Sequence, residues 1–198
     1  MKKIVTVIAL ALICSGAYAQ FNQGRILAGG GIGFSTATHK AEVNNTTSTL
    51  GKSTTFTFNP KAGYFIIDNL AVGLGFDIAS ETLKPEGTSG KSGNSDFALG
   101  PFVRYYLQPG VFFQGAVSFG GHTDKAINGN TTTTTKYNAF NWDLGVGYAY
   151  FLNDYVAIEP MVLYGMQTLK GKEDNSGKLK TSGLSVNLGF QIYLGARN

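Results

Sequence analysis

Five charged residues interrupt segments that otherwise alternate apolar and polar side chains: Lys61, Asp77, Arg104, Asp143 and Glu159. Two cations and three anions could line an ion path, or they could pair with one another out of water. The two histidines, His39 and His122, are the other candidates for proton chemistry. His122-Thr123-Asp124 is the local arrangement nearest to nucleophilic catalysis, which needs a base beside a hydroxyl and an acid to orient it. Thr stands there where such a site would carry Ser. Gly90-Lys91-Ser92 looks like the end of a phosphate-binding loop, but Pro85 holds the place of its first glycine. Gly51-Lys52-Ser53 fails in the same way at Thr46, and neither tripeptide opens a helical pattern. We therefore expect no catalytic residue, no cofactor and no metal site, and the chain is read as a non-enzyme.

The elements that position these residues are strands. Residues 184–194 put Leu184, Val186, Leu188, Phe190, Ile192 and Leu194 on one face, and Ser185, Asn187, Gly189, Gln191 and Tyr193 on the other. A strict period of two is the pattern of a strand with one apolar and one polar face. Seven earlier segments read the same way, at about 25–35, 53–66, 70–80, 95–107, 111–121, 136–152 and 155–167. Three connections are short and carry turn residues: 67–69, 108–110 and 153–154. Four are long and polar, at about 36–52, 82–94, 122–135 and 168–181. Alternating short and long connections imply antiparallel hairpins with every tight turn at one end.

The chain has 198 residues, enough for one domain. Residues 1–19 have the parts of a signal peptide: Lys2 and Lys3, an apolar run from Ile4 to Ile13, and Ala17-Tyr18-Ala19 as a small-x-small cleavage site. The barrel domain is then 20–198. Cys14, the single cysteine, falls in the signal segment, which leaves no disulfide or thiol chemistry afterwards. The formal charge of +4 drops to +2 without Lys2 and Lys3, too weak to imply a nucleic-acid partner. No later segment has the apolar length of a transmembrane helix, whereas a tilted strand crosses a bilayer in roughly 9–11 residues. The 27 glycines, 14 phenylalanines and 10 tyrosines suit strands around a narrow lumen with aromatics at the interfaces. The fold expected is all-β, an eight-stranded transmembrane up-and-down antiparallel β-barrel. Closure follows because lipid leaves no backbone group unsatisfied.

Pro60-Lys61-Ala62-Gly63-Tyr64-Phe65 leading into Asp68-Asn69-Leu70-Ala71-Val72-Gly73, and Pro101-Phe102-Val103-Arg104-Tyr105-Tyr106, carry a resemblance over the whole span after the signal. The chain resembles the eight-stranded outer-membrane β-barrel family, and is similar to the transmembrane domain of OmpA, to OmpX and to opacity-type proteins. It departs at its end, where Leu194 is followed by Gly-Ala-Arg-Asn rather than closing on an aromatic. Phe190 and Tyr193 best match the assembly signal. The resemblance implies residence in the outer membrane among its lipids and lipopolysaccharide. It also implies contact with the assembly machinery, and a monomer whose external loops form the interaction surface.

With the apolar positions outward, the five charges all fall on the lumenal face. A Lys or Arg facing lipid near the midplane costs roughly 2–4 kcal/mol, and buried charges must pair or neutralise. A lumenal charge network among Lys61, Asp77, Arg104, Asp143 and Glu159 is therefore expected as a structural plug, with a passive pore as the alternative. Gly29, Gly31, Gly33, Gly73, Gly75, Gly145 and Gly147 also point inward, making room for Phe102, Tyr106, Phe112 and Phe151. The function expected is a structural or surface-interaction role. The further alternative, a lipid A-modifying enzyme, rests on His122-Thr123-Asp124 alone.

Overall fold

A computed structural model describes residues 21–43, 46–85, 90–128, 131–172 and 177–195. The segment read as a signal peptide, 1–19, lies outside the described residues. The strands are β1 (Ile26–Val43), β2 (Thr46–Ile67), β3 (Leu70–Pro85), β4 (Lys91–Leu107), β5 (Val111–Asn128), β6 (Thr131–Tyr148), β7 (Tyr150–Phe151), β8 (Val156–Gly171) and β9 (Lys178–Leu194). β7 is the end of β6 past a break at Ala149. Gly147 faces Met161 and Tyr150 faces Ile158 in one unbroken register, so the barrel has eight long strands. Each pairs antiparallel with its neighbour in sequence, and β1 meets β9 to close the ring.

The tight turns have local causes. Asn69 takes φ +65°, a left-handed conformation that Asn tolerates, and Gly110 takes φ +132°. Asn153 Oδ1 accepts hydrogen bonds from the backbone N–H of Tyr155 and of Val156, both at 2.9 Å, which closes the third turn.

The lower ends of the strands lie close to where alternation places them. The upper ends do not. The connections expected at 36–52, 82–94, 122–135 and 168–181 are mostly strand, because β1, β2, β5 and β6 pair up to Val43↔Thr46 and Asn128↔Thr131. Apolar alternation stops where the outer face leaves lipid, whereas the hydrogen-bond ladder needs no lipid and continues through Thr-rich sequence suited to strands. The outer face marks that boundary. Exposed Phe34, Phe56, Ile78, Phe97, Phe119, Phe140, Tyr164 and Leu184 give way above to Thr36, Thr54, Ser80, Ser95, Thr123, Asn138, Thr168 and Ser182. Below the boundary lies an apolar belt of about the length a tilted strand needs. Above it stands a β-collar. Tyr64, Tyr105 and Tyr150 face outward toward the lower rim, and Trp142 packs on Tyr164 higher up at 6.0 Å. These positions suit interfacial girdles.

Candidate functional site: the charged lumen

The lumen is built in layers. At the bottom, Phe21 folds back under the barrel and stacks on Tyr106 with ring centroids 4.1 Å apart. Its backbone C=O accepts from Asn69 N–H at 2.7 Å. Phe65, Phe112, Tyr193 and Leu27 complete a buried apolar floor. Glycines make it possible. A Cβ on Gly147 would lie 2.4 Å from Phe112, and one on Gly73 would lie 2.7 Å from Phe102.

Directly above the floor, Arg104 and Glu159 meet at 2.6 Å, both essentially without solvent exposure. Arg104 Nη1 also donates to Tyr106 Oη at 3.1 Å, and Arg104 Nη2 donates to Gln114 Oε1 at 2.7 Å. The Tyr193 hydroxyl donates to the other Glu159 oxygen. Tyr106 and Tyr193 hydroxyls lie 3.0 Å apart. Since Tyr193 has given its single proton to Glu159, Tyr106 must donate to Tyr193. The contacts therefore close into a ring: Arg104 donates to Tyr106, Tyr106 to Tyr193 and Tyr193 to Glu159, while Arg104 also donates to Glu159 from the other side. The guanidinium carbon sits 4.2 Å from the centroid of the Phe112 ring, so its face is covered too.

The remaining members of the expected network face the same lumen one layer higher and are looser. Asp77 takes a hydrogen bond from Asn59 at 2.9 Å. Asp143 takes one from Gln114, while its Oδ1 is buried without a partner. Lys61 lies over the Phe102 ring at 5.9 Å, and among the described residues no carboxylate approaches it within 4.0 Å. Lys61, Asp77 and Asp143 thus share a cavity of about 510 Å³ rather than a chain of ion pairs. The structure brings Arg104 and Glu159 into direct contact and leaves the other three around open space.

His122 lies above the apolar belt. It points inward between two carboxylates, with Nδ1 2.7 Å from Asp96 and Nε2 3.0 Å from Asp124. Burial lowers its pKa, but the hydrogen bond and charge of Asp96, with those of Asp124, outweigh this and raise it. Both ring nitrogens are engaged, and alternation turns Thr123 to the opposite face. His39 lies on the collar part of β1. Both histidines lie on paired strands, at His39↔Gly51 and His122↔Tyr137, within the stretches 36–52 and 122–135 expected as connections. Among the described residues no group of three or more His, Cys, Asp or Glu is arranged to hold a metal ion.

Sequence reasoning missed Arg25, Gln114 and Phe21. Arg25 is buried and donates from Nη2 to the Tyr193 carbonyl at 2.7 Å. Its inward direction follows from the parity of Leu27 and Gly29, which was the available signal. Gln114 shares the parity of Phe112. Nothing local marks Phe21, because its burial comes from the chain turning under the barrel.

The solved structures similar to this chain include Neisserial surface protein A, at 15% identity and a TM-score of 0.46, covering 85% of this chain and 95% of that one. The outer membrane protein OprG of Pseudomonas aeruginosa matches at 14% identity and 0.46, covering 88% and 98%. The attachment invasion locus protein Ail of Yersinia pestis matches at 13% identity and 0.46, covering 86% and 98%. No curated protein matches the chain. The family model described as outer membrane protein beta-barrel domain matches residues 81–197, more than half of the sequence. The chain belongs to the outer membrane protein beta-barrel domain family, and its apolar belt sits in the bacterial outer membrane.

Proposed function

We propose that this protein is a non-conducting, non-enzymatic barrel that ties into the anionic lipopolysaccharide layer and presents its hairpin tips as an interaction surface. One observation carries the reading. Among the collar lysines whose side chains are described, all fall on the outer face. They are Lys52, Lys84, Lys91, Lys125 and Lys136, then Lys170, Lys178 and Lys180 on β8 and β9, and all are exposed. The collar acids Glu81, Asp96 and Asp124 have the opposite parity and hydrogen-bond inside. Outward ammonium groups just above an apolar belt meet the phosphates of the surrounding leaflet. Each basic group near such a surface contributes about 1 kcal/mol.

The lumen supports the non-conducting part, since a buried aromatic floor and the buried Arg104–Glu159 ring lie across its lower end. Both ring nitrogens of His122 are engaged by carboxylates, which speaks against His122 acting as a catalytic base. The test measures retention of lipopolysaccharide by the purified barrel. Lys125→Gln, Lys136→Gln, Lys178→Gln and Lys180→Gln together should lower retention and its salt dependence, while dephosphorylated lipid should bind weakly to both proteins. Equal retention by the quadruple variant would overturn the reading. Planar-bilayer recordings should show no conductance above leak, and lipid A mass spectra should not change on overexpression. Exchange of residues 122–135 should abolish partner binding while the barrel still folds.

A further inference from the structure

The ring of strands is unevenly closed. Every other neighbouring pair of long strands is matched over eleven residues or more, but β1 and β9 pair over five, Ile26–Gly30 against Phe190–Leu194. Both strands go on well beyond, to Val43 and back to Lys178. Continued in register, Ile32 would face Leu188 and Phe34 would face Val186, yet these pairs are not formed. The five most exposed large apolar side chains among the described residues are Ile32, Phe34, Leu184, Val186 and Leu188, at 66–79%. All five border this seam, where each lacks a neighbour on one side.

The parting has a local cause. Gly30 adopts φ +149°, and a Cβ there would lie 2.3 Å from the Asn59 carbonyl oxygen. Such a glycine bends a strand out of its ladder. β1 keeps its pairing with β2 and peels away from β9.

The opening is at membrane depth, because Ile32, Phe34, Leu184, Val186 and Leu188 belong to the apolar belt. Unpaired backbone is tolerated at that depth only where it lines a cavity with polar contents. The lumenal cavity reaches this slot, since its wall includes Ile32, Phe34, Val186 and Leu188 as well as Lys61, Asp77 and Asp143. Its polar end favours donors. Asp143 Oδ1 and Gln191 Oε1 are buried acceptors without partners, and Gln191 is 1% exposed. Arg104 is held by Glu159, which leaves Lys61 facing two carboxylates. The exposed apolar rims suit one hydrocarbon chain.

We propose that the upper β1–β9 seam is a lateral portal through which a single-chain amphiphile with an ammonium head enters from the outer leaflet, its head bonding to Asp143 and Gln191 and its chain lying between Ile32, Phe34, Val186 and Leu188. The polar head fills the buried acceptors and the chain covers the two open edges.

The test uses a Cys14→Ser background and two cysteine pairs on the outer face. Ala28→Cys with Ile192→Cys lies in the formed register and should oxidise to a disulfide, which needs Cα atoms roughly 4.4–6.8 Å apart. Phe34→Cys with Val186→Cys should resist oxidation in native membranes and yet be bridged by a bis-maleimide. Equal oxidation of the two pairs means a closed seam and ends the proposal. Native mass spectrometry of the barrel with dodecylamine should show a one-to-one adduct that dodecanoate does not give. Asp143→Ala should weaken that adduct about tenfold, the loss of one charge-assisted hydrogen bond. Gln191→Leu serves as the second head-group variant, and heat-modifiable gel mobility checks that both fold. Bridging residues 34 and 186 should block entry. An equal dodecanoate adduct, or a dodecylamine adduct indifferent to the head-group variants and the bridge, overturns the ligand assignment.

Discussion

The lower and upper halves of the lumen use the same residue types to opposite ends. Below, Arg104, Glu159, Tyr106, Tyr193 and Gln114 form a ring in which each proton has one direction, and it is walled off by the Phe21 floor. Above, Lys61, Asp77 and Asp143 surround open volume beside an incompletely paired seam. The difference lies in what fills the cross-section. Where aromatics remove water, charges must satisfy one another completely or lose several kcal/mol. Where the wall is lined by glycines and Asn59, open volume remains and the charges do not close into direct ion pairs.

The largest effect should come from the lower ring. Arg104→Ala leaves Glu159 buried and unpaired, and urea unfolding in detergent should show a loss of about 3–5 kcal/mol. A variant that melts like the parent would show that the lower layer is as wet as the upper one. Next is Tyr193→Phe, which removes one link between Tyr106 and Glu159. The same measurement should record a loss of about 1–3 kcal/mol. Lys61→Met should be nearly neutral, within about 1 kcal/mol, since among the described residues no carboxylate lies within ion-pair distance and its ammonium sits over the Phe102 ring, a place a thioether can also fill. A large loss there would erase the contrast between the halves.

The smallest effect is at the collar. His122 satisfies Asp96 and Asp124 together only as the imidazolium, which has two protons to give. With its pKa raised, this pairing contributes fully below the ordinary imidazole value of about 6.5 and is lost as pH rises through the folded value. An NMR titration of the His122 ring should place its midpoint above the ordinary value, and Asp96→Asn should lower it.

Alternation was legible because lipid imposes it. The outer face must be apolar across the bilayer, so the parity of Phe58, Val72, Val103 and Ile158 determines the direction of Lys61, Asp77, Arg104 and Glu159 without any structure. The tight turns were legible through Asn69, Gly110 and Asn153. The collar was not, because Thr-rich sequence reads as loop once neither face is apolar, while the hydrogen-bond ladder continues regardless. The burial of Phe21 also escaped, since a residue ahead of the first strand carries no periodic signal.

By itself, then, the sequence determined which way each side chain of the membrane-spanning strands points, because that depends only on parity and the solvent on each side. Tertiary structure decided which inward residues touch. Arg104 reaches Glu159 across 55 residues of chain, whereas Lys61 finds no such partner, because contact depends on the stagger of neighbouring strands around the ring. It also decided that the ring parts between β1 and β9 above Gly30. That follows from a backbone torsion at one glycine, and side-chain alternation carries no record of it.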